Sequence, residues 1–360
     1  MLIPSAESTS DATPADRPRK FLRRRALRTF AVAAVCGAVA TIATSLAFAR
    51  TTTTPIGTGV VVVTTNLGYQ GGSAAGTGIV LTSSGEILTN NHVIRGATSV
   101  RIVVPGTGHS YSATVVGYDV KDDIAVLKAK GATSLKTAAI GNSETLRIGS
   151  AVVARGNAGG SGAISSASGR VTGLNRTIAV NDDSGGTEQL SGLIETNAAL
   201  QPGDSGGPLS SGGKVVGVDT AASTGNGYVE ETASDAYAIP INRALTIAHQ
   251  IESGTSSATV HIGATAFLGV AVQPSQGFGG LDTPAGGVVV QVLQNSPAAN
   301  AGLVPGDVIT SVGGRTVTSS ATIANVLLTR KPGSKIALHY LDPYGASHHA
   351  VVTLARGPAQ

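Results

Sequence analysis

Residues 201–208 read QPGDSGGP and place one serine, Ser205, among glycines. A serine that attacks a carbonyl needs its hydroxyl exposed on a tight turn, beside backbone N–H groups that bind the oxyanion formed in the attack. Gly203, Gly206 and Gly207 permit that turn, because glycine adopts backbone conformations closed to other residues. The N–H groups of Gly203 and Ser205 can then point at one oxyanion. The segment therefore predicts acyl transfer by Ser205, and the alternative is a glycine-rich hairpin with an incidental serine.

A serine hydroxyl is a weak nucleophile unless a base takes its proton, and histidine is the commonest base. His92 lies in LTNNHVI at residues 88–94, after a predicted strand pair at 76–82 and 86–91 and at a strand-to-helix junction. The other histidines have ordinary surroundings. We predict that His92 is the general base, and the alternative is a structural histidine.

The base needs a carboxylate that holds its imidazole in the correct tautomer. Three aspartates, Asp119, Asp122 and Asp123, fall in YDVKDDIAVLK at residues 118–128. Asp123 directly precedes an alternating apolar run, so it is the best placed to point inward. We predict that Asp123 completes the triad, with Asp122 as the second choice, and the alternative for all three is a solvated turn.

The elements that must position these residues are mostly strands. From residue 56 onward, short β-branched runs are broken by Gly, Ser, Asn and Asp, a pattern that predicts a β-sandwich or barrel. The predicted strands span 60–64, 77–82, 86–89, 99–104, 114–118, 124–128, 151–155, 169–175, 192–196, 214–220 and 236–239. PINRALTIAHQI at residues 240–251 has apolar residues at helical spacing behind a proline, so it predicts a closing helix before a linker at 254–257.

Strand-like patterns restart at residue 261 and predict a second domain. The segments span 268–272, 287–293, 308–312, 321–328, 336–340 and 349–354. A chain of 360 residues suits two cores preceded by a targeting segment. We find no internal repeat.

The N-terminus predicts export. An uncharged stretch at residues 29–49 follows a basic cluster and ends in AFA at 47–49, an A-x-A cleavage pattern. The pattern predicts a signal peptide over residues 1–49. The alternative is an uncleaved signal anchor, which would be the only contact with a membrane. Residues 50–55 (RTTTTP) predict a linker.

Charge and cysteine content exclude several function classes. Residues 1–50 hold eight of the 25 Lys and Arg residues and three of the 21 acids, which leaves 17 basic and 18 acidic residues in the remainder. Residues 51–360 are so close to neutral that they lack the excess of basic side chains needed to bind phosphate backbones, so we predict no nucleic-acid partner. Cys36, the only cysteine, lies in the apolar stretch, so an exported chain would have no disulfide or cysteine–metal site. We predict neither a metal nor a cofactor.

Five strings together resemble the HtrA/DegP family, closest to its secreted actinobacterial members. They are GTGIV at 76–80, TNNHV at 89–93, DIAVL at 123–127, GDSGGP at 203–208 and AIP at 238–240, and their order and spacing match throughout.

The resemblance implies a mainly β fold, with a chymotrypsin-like double β-barrel protease domain over residues 56–255 and a C-terminal PDZ domain over residues 262–356. It implies a serine endopeptidase that cleaves polypeptides, misfolded proteins of the cell envelope above all, and a homotrimer as one assembly. It also assigns the oxyanion hole to Gly203 and Ser205. Because the triad lies in the first domain, we expect a chain ending near Ser257 to keep cleaving short peptides.

The same resemblance places the S1 pocket, which receives the side chain before the scissile bond, along Ala199, Leu200, Ala238 and Ile239. None of these residues is charged. The pocket therefore predicts cleavage after hydrophobic residues such as Val, Ala or Leu.

In the second domain, Phe267, Leu268, Gly269 and Val270 resemble the carboxylate-binding loop of PDZ domains, whose backbone N–H groups capture a peptide C-terminus. SPAANAGLVPGDVI at residues 296–309 is a turn, short helix and strand typical of HtrA PDZ domains. Together the two segments predict a site for peptide C-termini.

Asp204 departs from the family, which usually has asparagine between the glycine and the serine. In digestive trypsins, an aspartate at this place pairs with a new N-terminus made by zymogen cleavage. Nothing after Ala49 offers the expected Ile-Val-Gly-Gly start, so we do not expect zymogen activation.

Two other functions fit part of the pattern. GDSGG at residues 203–207 satisfies the nucleophile elbow of α/β-hydrolases, with Asp219 or Asp235 and then His249 in the required order. That fold alternates β and α elements, which the strand-rich residues 56–240 do not show. The second alternative is a protease-like chaperone or peptide-binding scaffold, and the intact triad argues against it.

Overall fold

The computed structural model describes residues 58–69, 71–181, 187–220, 236–275 and 285–359. The predicted signal segment and the linker at 50–55 lie outside the described residues. Within the described ranges, no helix is long and apolar enough to cross a membrane.

The first six strands form a closed antiparallel barrel. They are β1 (Val60–Leu67), β2 (Gly72–Val80), β3 (Glu86–Thr89), β4 (Ser99–Val103), β5 (Ser110–Asp119) and β6 (Ile124–Ala129), with the one-turn helix α1 (Asn91–Ile94) after β3. The strands follow the order β5-β4-β1-β2-β3-β6, and pairing of β5 with β6 closes the ring. β1 opens with four buried valines, whose branched side chains favour extended backbone and fill the barrel.

The next six strands form a second closed barrel. They are β7 (Ala151–Gly156), β8 (Ser165–Asn181), β9 (Thr187–Thr196), β10 (Pro208–Ser211), β11 (Lys214–Thr220) and β12 (Ala236–Pro240). Helix α2 (Ile241–Glu252) follows, as its apolar spacing predicts. It buries Ile241, Ile247 and Ile251 in a core that also takes Ile79 from β2 and Val218 from β11. This cluster lies between the two barrels, each of which also has a core of its own.

β13 (Val260–Ile262) follows α2 and belongs to the sheet of the first barrel. The remaining elements form a smaller domain. They are β14 (Thr265–Phe267), β15 (Val270–Pro274), β16 (Gly287–Val292), α3 (Pro297–Asn300), β17 (Val308–Val312), β18 (Arg315–Thr316), α4 (Ser320–Leu328), β19 (Lys335–Leu341), β20 (Ser347–Thr353) and β21 (Ala355–Gly357). The main sheet has the order β15-β16-β17-β19-β20, so β15 lies at its edge. Residues 321–328, which share the strand-like pattern predicted from the sequence, are helical. Their buried residues Ile323, Val326 and Leu327 recur at helical spacing.

The smaller domain is attached to the first barrel at both of its ends. β13 adds to the barrel by pairing with β5, and a 2.9 Å hydrogen bond joins the Tyr118 hydroxyl to the Thr265 hydroxyl. At the other end, the N–H of Gly96 donates to the carbonyl of Ala359, which packs in the core of the first barrel. The predicted mainly β, double-barrel fold is confirmed, and closed antiparallel barrels exclude the α/β-hydrolase alternative.

Candidate active site

His92 lies in α1, directly behind β3. Its Nδ1 lies 2.8 Å from Oδ2 of Asp123, and its backbone N–H donates to Oδ1 of the same carboxylate at 2.9 Å. The His92 side chain is 34% exposed, whereas that of Asp123 is 9% exposed. A shielded carboxylate beside Nδ1 favours the tautomer that carries its proton there, so Nε2 has the lone pair that a general base needs.

Asp123 is itself held from both barrels. Nδ2 of Asn90 donates to its carbonyl at 2.9 Å, and the hydroxyl of Thr220, at the end of β11, donates to Oδ2 at 3.1 Å. Its φ of 52° lies in the left-handed region, which aspartate and asparagine tolerate better than most residues. The sequence did not point to Thr220, since no local pattern links it to an acid 97 positions earlier.

The other two aspartates of this segment have different partners. Asp122 forms an ion pair with Arg243 of α2, in which Nε lies 2.9 Å from Oδ2. Asp119 is buried and accepts bonds from the Asp122 N–H and the Thr259 hydroxyl. Burial raises the pKa of Asp119. Of the three, only Asp123 contacts His92 among the described interactions.

Ser205 lies in the turn before β10 and is 6% exposed. Thr77 of β2 fastens this turn to the first barrel, because its N–H donates to the Ser205 carbonyl at 2.8 Å and its hydroxyl donates to the Gly203 carbonyl at 2.7 Å. Gly203 has a φ of 99°, and a Cβ there would lie 2.2 Å from the carbonyl oxygen of Asn157. Only glycine therefore fits this position of the turn.

The space around Gly76 shows how close the segments that carry His92 and Ser205 lie to each other. A Cβ on Gly76 would lie 2.7 Å from Cγ1 of Val93, the neighbour of His92, and 3.2 Å from the carbonyl oxygen of Ser205. β2 thus contacts both segments at one point. The structure brings the three predicted triad residues to the same junction between the barrels.

Two further acids lie beside the nucleophile turn. Asp204 is 4% exposed, and its Oδ2 accepts the N–H of Gln201 at 2.9 Å. Asp219 of β11 is fully buried, and neither of its carboxylate oxygens has a hydrogen-bond partner within the described chain. Burial raises the pKa of both carboxyls, and the charge of Asp204 raises the pKa of Asp219 further. Asp219 therefore favours the neutral, protonated form.

The predicted S1 residues do not all lie together. Ala238 is buried in the core of the second barrel, and Leu200 packs against that core. Ile239 follows Ala238 on β12 and so points to the opposite face, where it packs in the core shared with α2. Ala199 is exposed. The structure therefore places Leu200 and Ala238 at the core of the second barrel and Ile239 in the core that includes α2.

Of the predicted carboxylate-binding residues, Phe267 ends β14, Leu268 and Gly269 form the connection, and Val270 begins the edge strand β15. The carbonyls of Leu268 and Gly269 accept backbone bonds, whereas no bond is recorded for their N–H groups among the described residues. The ring of Phe267 stacks on Tyr69 from the β1–β2 turn, with centroids 5.0 Å apart. The loop thus has N–H groups for a carboxylate and a direct contact with the first barrel.

The residues of the other interpretations are scattered. His249 is exposed on α2, and Asp235 lies outside the described residues. Among the side chains described, no three His, Cys, Asp or Glu residues are grouped to hold a metal ion.

Family models match the two parts of the chain separately. Residues 76–218 match the trypsin-like peptidase domain, and residues 266–342 match the PDZ domain. The chain carries a trypsin-like peptidase domain followed by one PDZ domain. The peptidase match includes His92, Asp123 and Ser205.

Curated relatives agree with this assignment. The chain is 34% identical to "Serine protease PepD" of Mycobacterium tuberculosis over 82% of its own length and 64% of the relative's. It is 36% identical to a "Probable periplasmic serine endoprotease DegP-like" of Pseudomonas savastanoi over 74% of its length and 53% of the relative's. The chain thus spans between half and two thirds of these proteins, and the predicted resemblance to HtrA/DegP proteins is confirmed.

Solved structures give a looser match. The "HtrA-type protease AlgW with decapeptide" has a TM-score of 0.47 at 26% identity, covering 85% of this chain and 97% of that one. A serine endoprotease from Yersinia pestis has a TM-score of 0.46 at 25% identity, covering 84% and 95%. The assignment of the domains therefore depends on the sequence matches.

Proposed function

We propose that the chain is a serine endopeptidase that uses Ser205, His92 and Asp123. The Ser205 hydroxyl attacks the scissile carbonyl while Nε2 of His92 takes its proton, and the protonated ring then gives that proton to the leaving amine. Water hydrolyses the resulting acyl-enzyme by the same route. The observation that carries the proposal is the 2.8 Å contact of His92 Nδ1 with a carboxylate that Thr220 also binds.

The oxyanion formed in each step would be bound by the N–H groups of Gly203 and Ser205. Thr77 supports this role, because its two bonds to the carbonyls of Gly203 and Ser205 fix the backbone between them. A fixed pair of donors needs no reorganisation as negative charge develops.

The substrates we propose are polypeptides, misfolded ones in particular. Leu200 and Ala238 supply an apolar wall that suits aliphatic P1 residues such as Val, Ala or Leu. Relatives named as periplasmic endoproteases support a location outside the cytoplasm, reached through the predicted signal segment. A homotrimer stays a prediction.

Labelling with a fluorophosphonate probe tests the chemistry. We expect the full chain to be labelled and Ser205→Ala to be unlabelled with an unchanged circular dichroism spectrum. Casein cleavage should disappear in Ser205→Ala and in His92→Ala. A wild-type chain that is folded yet neither labelled nor active would favour the alternative, a peptide-binding scaffold.

We also propose that the PDZ domain binds hydrophobic peptide C-termini. The edge strand β15 can accept an added strand, and the N–H groups of Leu268 and Gly269 can bind its terminal carboxylate. A peptide with a free C-terminus should bind the full chain, and its amidated form should not. If the free peptide accelerates cleavage of a short reporter, the domain activates the protease; if it only competes with protein substrates, the domain tethers them. Equal failure of both forms would refute the proposal.

A further inference from the structure

Asp219 is a buried acid to which the proposed mechanism gives no role. Its side chain is fully buried, and both carboxylate oxygens are without a hydrogen-bond partner in the described chain. Buried polar groups are nearly always paired, since an unpaired one costs free energy. Asp219 is therefore an exception that its contacts within the described chain do not explain.

The register of the second barrel gives the direction of this side chain. Asp219 pairs directly with Ala238 across β11 and β12, so both side chains lie on the same face with Cβ atoms about 5 Å apart. Gly217, two positions earlier on that face, would place a Cβ 3.1 Å from that of Ala238. Val218 alternates to the opposite face, into the core shared with α2. Asp219 thus lies on the face where Ala238 packs into the core of the second barrel, the core that Leu200 also contacts.

The backbone of Asp219 also lies against the nucleophile turn. Its carbonyl accepts the N–H of Gly206 at 2.8 Å, and its N–H donates to the Gly207 carbonyl at 2.7 Å. Gly206 directly follows Ser205. A side chain that enters from a peptide bond held at Ser205 and extends toward Ala238 therefore approaches the Asp219 carboxylate.

Asp204 does not supply the missing partner. Its Oδ2 accepts the Gln201 N–H, and its Oδ1 lies against Gly156, where a Cβ would be only 2.5 Å away. Both groups are acids, so a proton is the only thing they could share. The charge of Asp204 opposes ionisation of Asp219, and a cation beside Asp219 would favour it.

We propose that Asp219 determines specificity in the S1 pocket, where it accepts the cationic head of a P1 Lys or Arg. The proposal rests on the proposed peptidase function and adds a class of P1 residue to it. Leu200 and Ala238 pack against the aliphatic stem, as long basic side chains bury their stems along apolar surface. Small aliphatic P1 residues use the same wall without reaching the acid.

Four reporter peptides that differ only at P1 test the proposal on the full chain: Lys, Arg, Leu and norleucine, which has the Lys stem without its ammonium. The readout is the ratio of kcat/KM for Lys to that for norleucine. We expect Asp219→Asn to lower this ratio at least about tenfold, since a hydrogen bond to a charged group is worth that much, and to leave norleucine cleavage within about threefold. Asp119→Asn, which alters another buried aspartate of the same domain, should leave the ratio unchanged.

An equal ratio in wild type and Asp219→Asn would overturn the proposal. So would an equal loss for all four peptides, because that result would make Asp219 a structural partner of Asp204. Absence of cleavage of all four peptides by wild type would instead overturn the peptidase function itself.

A measurement on wild type alone covers the case in which Asp219→Asn does not fold. Benzamidine, a cationic S1 mimic, should slow fluorophosphonate labelling of Ser205, whereas neutral benzyl alcohol at the same concentration should not. Equal behaviour of the two compounds would contradict the proposal.

Discussion

Asp123→Asn is the substitution that tests the candidate triad most directly. The Asp123 carboxylate accepts bonds from Nδ1 of His92, from the His92 backbone N–H and from Thr220. An amide of the same shape can present its NH₂ group to Nδ1, which then holds the ring in the tautomer that cannot take a proton at Nε2. Asparagine also tolerates the φ of 52° at this position, so the backbone is retained.

The expected loss in kcat is about 10⁴-fold, the size of the effect that a wrong tautomer has in the serine-protease template. It corresponds to about 5.5 kcal/mol of transition-state stabilisation. Asp123→Ala would be a poorer test, because alanine at a left-handed φ adds about 1–2 kcal/mol of backbone strain. The assay is steady-state cleavage of a Leu peptide, with thermal unfolding as the check that the fold persists.

Asp122→Asn is the matched control. It removes the partly exposed ion pair with Arg243, which is worth at most about 1 kcal/mol of stability, and it leaves the contacts of His92 in place. We expect kcat within about threefold of wild type. If Asp122→Asn is inactive while Asp123→Asn keeps most of its kcat, the triad assignment is wrong.

Three further predictions concern the turn, the domain contact and the buried acid. Gly203→Ala should lower the rate of peptide cleavage at least about 100-fold, because its Cβ would collide with Asn157. Gly212→Ala is the control, since Gly212 has a φ of 58° and open space around it. This control should lose only about 1 kcal/mol of stability in denaturant unfolding and no activity in the peptide assay. Tyr69→Ala should lower the free energy of unfolding by about 1 kcal/mol through loss of the stack on Phe267, and Tyr69→Phe should not; equal effects would contradict the stacking account. Burial raises the pKa of Asp219, so above about pH 4 the folded chain holds a proton that the unfolded chain releases. The protonated Asp219 therefore contributes to stability at low pH, and this contribution is lost as the pH rises from about 4 through the raised pKa. Asp219→Asn should flatten that decline in unfolding experiments across pH, and an unchanged slope would contradict it.

The sequence predicts most where a local pattern carries the chemistry. The glycines around Ser205, the strand-to-helix junction at His92 and the run behind Asp123 each follow from demands on a few neighbouring residues. Thr220, which binds the Asp123 carboxylate, could not be predicted in that way, because the bond depends on how two barrels meet.

The face of the sheet on which a strand residue lies, and the partners of a buried polar group, could not be predicted from the sequence either. Ala238 and Ile239 are adjacent in the sequence, yet strand geometry sends them into different cores. The sequence pattern offers Asp219 a role only in an α/β-hydrolase triad. Its unpaired carboxylate became visible only when the register of β11 and β12 was known.

Removal of the PDZ domain is a less simple experiment than the sequence suggests. A chain ending near Ser257 would lose β13, which pairs with β5 and buries Val260 at 3% exposure. It would also lose Ala359, which packs in the core of the first barrel with Val93 and Ile94 of α1. Lost burial of a valine alone costs about 1.5–3 kcal/mol, so slower peptide cleavage by such a chain would have a structural cause.

A pair of truncations separates this structural loss from the loss of peptide binding. A chain ending at Gly263 keeps β13 and lacks the rest of the PDZ domain, so it should unfold at a higher temperature than a chain ending at Ser257 and cleave short peptides faster. Both chains lack the carboxylate-binding loop, so both should process protein substrates equally slowly relative to their own peptide rates. Equal unfolding temperatures would show that β13 contributes nothing to the barrel. Faster protein processing by the longer chain relative to its own peptide rate would place substrate recruitment outside the PDZ loop.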